Sequence, residues 1–253
     1  MSACRYETML EMIRKAGSLA LELSHSPVGV EAKGVNDYVT QADRRVETFI
    51  RSTIGELYPD DGVMGEEYGT MDSHDGYVWV IDPIDGTVDF MNSFPLYCIS
   101  VALEKDGKLV AGAVYNPVYD ELFHARAGCG AYLGRTRLSG TSVPFEKSVA
   151  LVVPPHRRHE SLERFWANER RIYAMVSDTR SIGSAAMSTC YVACGRASMY
   201  YEWYLHYYDY AAAMLIAQEA GCSCITRTEG DLTNILVVSG AYAGERIEEV
   251  LEL

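Results

Sequence analysis

The sequence predicts a layered α/β sandwich with mixed sheets, and three observations predict it. Helical and strand-like periodicities are interleaved along the whole 253 residues. Short turns between consecutive apolar runs outnumber clean strand–helix–strand units, which argues against a simple doubly wound sheet. The composition, 48% hydrophobic and 23% charged, is that of a globular chain able to bury a large core.

The first helix is expected over 4–24, where Met9, Met12, Ile13, Ala16, Leu19, Ala20 and Leu23 recur at spacings of three and four. His25-Ser26-Pro27 ends it, because the residue before proline avoids the helical region. Residues 31–37 read as an exposed loop or a short extended piece. A second helix over 40–58 opens on Thr40 as N-cap, with Val46, Phe49, Ile50, Ile54 and Leu57 on one face. Pro59-Asp60-Asp61-Gly62 is a turn, and 63–67 forms a short strand that delivers Glu66 and Glu67 at its end. The apolar run 77–81 is a strand stopped by Asp82-Pro83, and Gly86-Thr87 opens a helix. The runs 97–103 and 109–115 flank Asp106-Gly107, a hairpin signal.

Further strands are expected at 119–125, 130–133 and 149–153, then a helix over 159–169 and a strand at 171–176. A helix over 183–194, a strand at 197–202 and an apolar helix over 208–220 ended by Gly221 follow. Strands at 222–227 and 235–239 and a closing helix over 243–253 complete the chain. There is no internal repeat, and the softest boundary is the irregular stretch 134–148.

Thirty-five acidic against 22 basic residues give a net charge of −13. That balance argues against nucleic-acid binding through a basic face. It leaves two readings, a solvated surface or carboxylates awaiting cations. The seven cysteines (Cys4, Cys98, Cys129, Cys190, Cys194, Cys222, Cys224) are an odd number without framework or zinc spacing. Most of them read as small buried hydrophobes in a reducing compartment. The N-terminus lacks an apolar signal region, and no run approaches the ~18 apolar residues of a spanning helix. The expectation is a cytoplasmic protein with no membrane contact.

Chemistry concentrates in Asp82-Pro83-Ile84-Asp85-Gly86-Thr87, directly after an apolar strand. Two carboxylates across a proline turn offer hard oxygen ligands of the kind Mg²⁺ prefers. The Gly86-Thr87 helix start offers free N–H groups to a phosphate. Read alone, the same residues could be ordinary exposed acids at a strand end. Other candidates are weaker by themselves. Gly65-Glu66-Glu67 fits a solvated turn, Asp37-Tyr38-Val39-Thr40-Gln41-Ala42-Asp43 a helix N-terminus, and Asp209 a helix cap.

Taken together, Gly-Glu-Glu, then Trp-Val-Ile-Asp-Pro-Ile-Asp-Gly-Thr, then Asp209 heading the apolar helix to Glu219-Ala220-Gly221 resemble the inositol monophosphatase family of Mg²⁺-dependent, lithium-sensitive phosphatases. The resemblance runs from about Asp37 to Gly221. It implies the layered α-β-α-β-α sandwich of the sugar phosphatase type, with mixed, largely antiparallel sheets. It implies one catalytic unit over 1–253, with a metal and phosphate lobe near 1–140 and a substrate lobe near 141–253. It also implies a homodimer.

Carried over, the match implies that Glu66 and Asp82, with the Ile84 carbonyl, hold one Mg²⁺, and that Asp82, Asp85 and Asp209 hold a second. Glu67 would touch a third through water. Asp43 and Thr87 would orient and deprotonate the attacking water, and the N–H groups of Gly86 and Thr87 would hold the phosphate. These six acids carry −6, which three Mg²⁺ balance, so the site accounts for part of the chain's acidity. Gly183, Ser184 and Ala185 match a stretch lining the polyol side, and Glu202 matches a residue that bonds a ring hydroxyl. The substrate implied is inositol 1-phosphate or another small phosphorylated polyol or sugar.

Fructose 1,6-bisphosphate, histidinol phosphate and 3′-phosphoadenosine or NADP remain alternatives. So does a non-catalytic regulatory protein. Three departures bear on the substrate: Tyr208 where the family often has Trp, Asp89 in place of Asn, and Cys222 in place of Gly. The aromatics at 200–210 read as core and subunit contacts rather than a base-stacking platform, and His206 as structural.

Overall fold

The computed structural model describes residues 4–25, 29–34, 37–155, 158–240 and 247. The expected closing helix over 243–253 therefore lies outside the described residues apart from Ile247, as does the Ser26-Pro27 helix stop. In chain order the described elements begin with α1 (Arg5–Ser24), β1 (Val30–Gly34), β2 (Asp37–Thr40), α2 (Gln41–Leu57), β3 (Gly62–Gly65), β4 (Gly69–Met71), β5 (Tyr77–Asp85) and α3 (Thr87–Met91). Five strands follow: β6 (Cys98–Lys105), β7 (Lys108–Asn116), β8 (Glu121–Arg126), β9 (Gly130–Leu133) and β10 (Thr136–Arg137). The chain then makes β11 (Val149–Val153), α4 (Leu162–Met175), β12 (Asp178–Arg180), α5 (Ala185–Ala193), β13 (Met199–Leu205), α6 (Tyr207–Glu219), β14 (Ser223–Glu229) and β15 (Leu232–Val238).

Two sheets carry the layers. The larger has the order β10-β9-β8-β7-β6-β5-β3-β4 and is antiparallel except where β3 meets β5. The smaller has the order β12-β11-β13-β15-β14 and mixes parallel with antiparallel pairs. Alternation along the strands assigns the faces. In β5, Trp79 and Ile81 join a core with Met9, Ile13, Val46 and Ile50 of α1 and α2, while Val80 joins α5 and α6 on the opposite face. In β13, Tyr200 faces α5 and α6, whereas Met199, Tyr201 and Trp203 face Phe165 and Ile172 of α4. The order is therefore α1/α2, large sheet, α5/α6, small sheet, α4, the five-layer sandwich expected. Seven consecutive residues of α6, Ala211 to Ala217, are buried because that helix has a sheet on each side.

Several local expectations change. Of the 31–37 segment, residues 31–34 and 37 lie in the antiparallel pair of β1 and β2, the extended form of the two expected. The 171–176 segment is helical, not a strand: α4 continues to Met175 because Phe165, Asn168 and Ile172 repeat at helical spacing and are buried. The strand comes later and is short, as β12. Asp82-Pro83 does not stop β5. The strand runs on to Asp85 through a bulge, with Asp82 opposite Ser100 and Asp85 opposite Cys98. Proline fits there because a bulge does not require its missing N–H. The Asp106-Gly107 hairpin is as expected, both residues lying at positive φ (50° and 73°). No helix among the described residues is long and apolar enough to cross a membrane.

The contact of α6 with the large sheet requires glycine at 112 on β7. A Cβ there would stand 2.7 Å from the Ala212 carbonyl oxygen and 3.1 Å from its Cα. Gly112→Ala is expected to lower stability by about 1–3 kcal/mol through overpacking of backbone against backbone. Urea denaturation measures this, and an unchanged midpoint would contradict the close approach.

Candidate active site

The bulge in β5 decides where the acids point. In a regular strand, residues three apart face opposite sides. One extra residue between Asp82 and Asp85 resets that alternation, so Ile81 and Ile84 both pack toward α1 and α2. Asp85 accordingly turns to the other face, where the α5 N-terminus meets it. It accepts hydrogen bonds from Ser184 Oγ (2.6 Å), the Ala186 N–H (2.7 Å) and the Ala185 N–H (3.3 Å). Gly86 then takes φ 95°, a left-handed turn into α3 that suits glycine.

Asp43 and Asp209 are placed by one local device. Each is the third residue of its helix, with its carboxylate accepting the N–H of the residue before the helix. Asp43 Oδ2 accepts from Thr40 N (2.9 Å) and Thr40 Oγ1 (2.5 Å), while Thr40 Oγ1 accepts from Asp43 N (3.4 Å), a reciprocal capping box. Asp209 Oδ2 accepts from His206 N (2.7 Å). The motif stretch ending at Asp43 is thus a helix cap, and that cap aims an acid. Asp43 Oδ1 is left facing Thr87 Oγ1 at 3.3 Å, and the same hydroxyl lies 3.1 Å from the Ile84 carbonyl.

A cavity of about 520 Å³ opens over these residues. Its floor carries Glu66, Asp82, Asp85 and Asp209 with Ile84, Gly86 and Thr87, and Tyr38, Ser181, Gly183, Ala185 and Glu202 surround them. Val88, Val153, Pro154 and Leu205 make apolar walls. Ten of the residues singled out from sequence meet here. Asp43 touches the cavity through Thr87. Glu67 is not among the lining residues; its backbone N–H is bonded to Glu47. Ser184 is fully buried beneath the lining, with its hydroxyl on Asp85 and accepting the Met187 N–H.

The model of the inositol monophosphatase family matches residues 2–252. The chain belongs to that family. An inositol-1-monophosphatase of Mesorhizobium japonicum is 37% identical over 84% of this chain and 82% of its own. The Nus factor SuhB of Vibrio cholerae is 36% identical over 82% of this chain and 79% of its own. Among solved structures, the extragenic suppressor protein suhB of Bartonella henselae superposes with a TM-score of 0.90 at 31% identity, covering 97% of both chains. Members of this family are phosphoric monoester hydrolases, generally metal-dependent, and the chain is an enzyme of that class.

The electrostatics of this family member fit a hard divalent cation. Burial pushes the Asp82 carboxyl well above the ordinary range, and Glu66, Asp85, Asp209 and Asp43 add like-charge repulsion. One oxygen, Asp82 Oδ1, is buried and accepts no hydrogen bond. Burial also raises Asp85, against the hydrogen bonds from α5 that favour its ionised form. The donors lining the cavity are carboxylates, hydroxyls and carbonyls, the set that suits Mg²⁺ rather than a thiophilic metal. Among the described residues, no three such side chains close into a ready-made cage. Carboxylates that repel one another are expected to ring a cavity until counter-charge arrives.

Residues that motif reasoning missed include Val153 and Leu205, at the ends of β11 and β13, and Glu47. The strand ends were the available signal, since ligands gather at such edges. The aromatics at 200–210 mostly build core: Phe165, Tyr201 and Trp203 pack ring to ring at 5.2–5.8 Å. Tyr38 is the one aromatic among the described lining residues. His206 stacks on Tyr208 at 5.2 Å. Asp89 packs behind Gly183, where one of its oxygens is buried without a partner, and burial pushes its carboxyl up to about 6.

Burial likewise pushes Asp43 up to about 6 from its ordinary 3.8, against the Thr40 hydrogen bonds that lower it. A folded-state value above the unfolded one gives stability that is complete below the ordinary 3.8 and is lost as pH rises through 6. In chelating buffer, wild type should lose up to about 3 kcal/mol relative to Asp43→Asn as pH rises from below 3.8 to 7. Parallel stability–pH curves for the two proteins would show the Asp43 carboxylate to be unperturbed.

Proposed function

We propose that the chain hydrolyses a small phosphate monoester, inositol 1-phosphate or a similar polyol phosphate, with Mg²⁺ as cofactor. The observation that carries this is the meeting of Glu66, Asp82, Asp85 and Asp209 in one cavity with the Asp43–Thr87 hydrogen bond at its edge. Glu66, Asp82 and the Ile84 carbonyl would hold one Mg²⁺ and Asp82, Asp85 and Asp209 a second. Glu67 would reach a third through water. Bound there, Mg²⁺ would supply Lewis-acid polarisation of phosphoryl oxygens and ease the ionisation of water.

The chain's own residues supply position and proton handling. The N–H groups of Gly86 and Thr87 would orient the phosphate at the turn into α3. Water against Thr87 Oγ1 would pass a proton to that hydroxyl as the hydroxyl passes its own to Asp43 Oδ1. Burial, which pushes the Asp43 carboxyl up to about 6 in the metal-free chain, favours proton uptake at that carboxylate. On the far side, Glu202 would accept from a polyol hydroxyl while Tyr200 OH, which donates to Glu202 Oε2, fixes its direction. Gly183 and Ala185 would let the ring approach closely. Ser184 would act through Asp85.

The cavity lining favours one phosphate over two. Among the described lining residues there is no Lys, Arg or His, so a second phosphate dianion would meet carboxylates and apolar walls. This weighs against fructose 1,6-bisphosphate and 3′-phosphoadenosine phosphates. A second reading, a regulatory role beside catalysis, draws on the Nus factor name of the Vibrio relative.

Phosphate release should be abolished by chelation, restored by Mg²⁺, and at least about tenfold higher in kcat/KM for inositol 1-phosphate than for either bisphosphate. That margin corresponds to about 1.4 kcal/mol of differential transition-state binding. No Mg²⁺-dependent release from any of these esters would overturn the proposed cofactor and substrate class. Thr87→Ala should lower kcat by about 10²-fold or more with KM little changed, because general-base assistance acts on the chemical step. A change confined to KM would remove Thr87 from the path of the proton.

A further inference from the structure

Glu47 is fully buried on α2, one turn beyond Asp43 and on the same face. A buried carboxylate is costly unless hydrogen-bonded and paired, and Glu47 is both. Its Oε2 accepts the Glu67 N–H at 2.7 Å, and its Oε1 accepts Arg51 Nε at 2.7 Å and the Tyr68 N–H at 3.3 Å. Arg51 completes the clasp by donating to the Gly69 carbonyl. Gly65 makes room: a Cβ there would stand 2.0 Å from Glu47 Oε1. The turn between β3 and β4, which carries Glu66 and Glu67, is therefore wrapped around one side chain.

The same helix reaches the site twice. Asp43 meets Thr87 through its side chain, and Glu47 grips the backbone of the turn that presents Glu66 to the cavity. We infer that Glu47 is a positioning residue for the divalent-cation site, setting where the Glu66 carboxylate stands relative to Asp82. The inference rests on the metal reading proposed above. It adds that α2 couples the proton-accepting pair to the cation ligands as one rigid piece.

Glu47→Gln keeps the size but turns an N–H donor toward N–H donors, so the turn loses part of its anchor. Three measurements are made on the variant and wild type: the Mg²⁺ dissociation constant by calorimetry, amide exchange at Glu67 and Tyr68, and kcat at saturating Mg²⁺. The expected result is Mg²⁺ binding weakened about 10- to 100-fold, the usual range for residues that orient metal ligands. Exchange at those two amides should quicken, and kcat should recover at high Mg²⁺. A folded variant with wild-type Mg²⁺ affinity would overturn the inference and reduce Glu47 to an ion pair of the fold. Should Glu47→Gln fail to fold, Glu47→Asp retains the charge at shorter reach and is read the same way. Wild type that binds no Mg²⁺ would overturn the metal reading itself, and this inference with it.

Discussion

Like charge held out of water is the constraint around which this molecule is arranged. Asp43, Asp82, Asp85 and Asp209 are drawn to one end of the sandwich; burial works against keeping the first three ionised, and like-charge repulsion adds to it at Asp82. The fold answers with helix N-termini. Asp43 sits in the first turn of α2, Asp209 in the first turn of α6, and Asp85 accepts the first N–H groups of α5. Each contact adds a hydrogen bond to the charged form and places it at the positive end of a helix dipole. Asp82 keeps one buried oxygen with no donor, and its carboxyl lies well above the ordinary range. That unsatisfied atom is where a cation has the most to offer.

The layered architecture is what lets three helices aim at one point. The helices α5 and α6 lie between the sheets, so their N-termini emerge beside the end of β5. The helix α2 approaches from the outer face of the large sheet and reaches the same end through Thr87. The bulge at Pro83 joins these two sides, since it gives Asp85 to the inner layer while Ile84 stays with the outer one. A straight strand would have split the aspartates between the layers.

Much of the fold was legible because the local signals agreed with the tertiary ones. The capping pattern of Thr40 and Asp43, the Asp106-Gly107 hairpin and the all-round apolar helix ended by Gly221 each had one sensible structure. The misreadings share a cause. The segment 171–176 is rich in residues that suit either state, and burial of Ile172 beside Phe165 and Asn168 made it helix. Pro83 reads as a strand stop, yet a bulge in β5 itself, opposite β6, absorbs it. The hydroxyl of Ser184, buried beneath the cavity lining, holds Asp85, a contact that spacing along the chain does not announce.

The acids themselves, their order and the resemblance they carry were settled by the sequence alone, because motif chemistry is written in residue type and spacing. Glu47 was not, since a glutamate on an amphipathic helix looks like any solvated charge until the turn at 65–69 folds around it. Nor was the full set of residues lining the cavity: Val153 and Leu205 come from strand ends that only the pairing of β11, β13 and β15 brings to the site. Spacing along a chain can say which groups are available. Which of them share a cavity depends on contacts between residues far apart in sequence, and only the packed layers decide those.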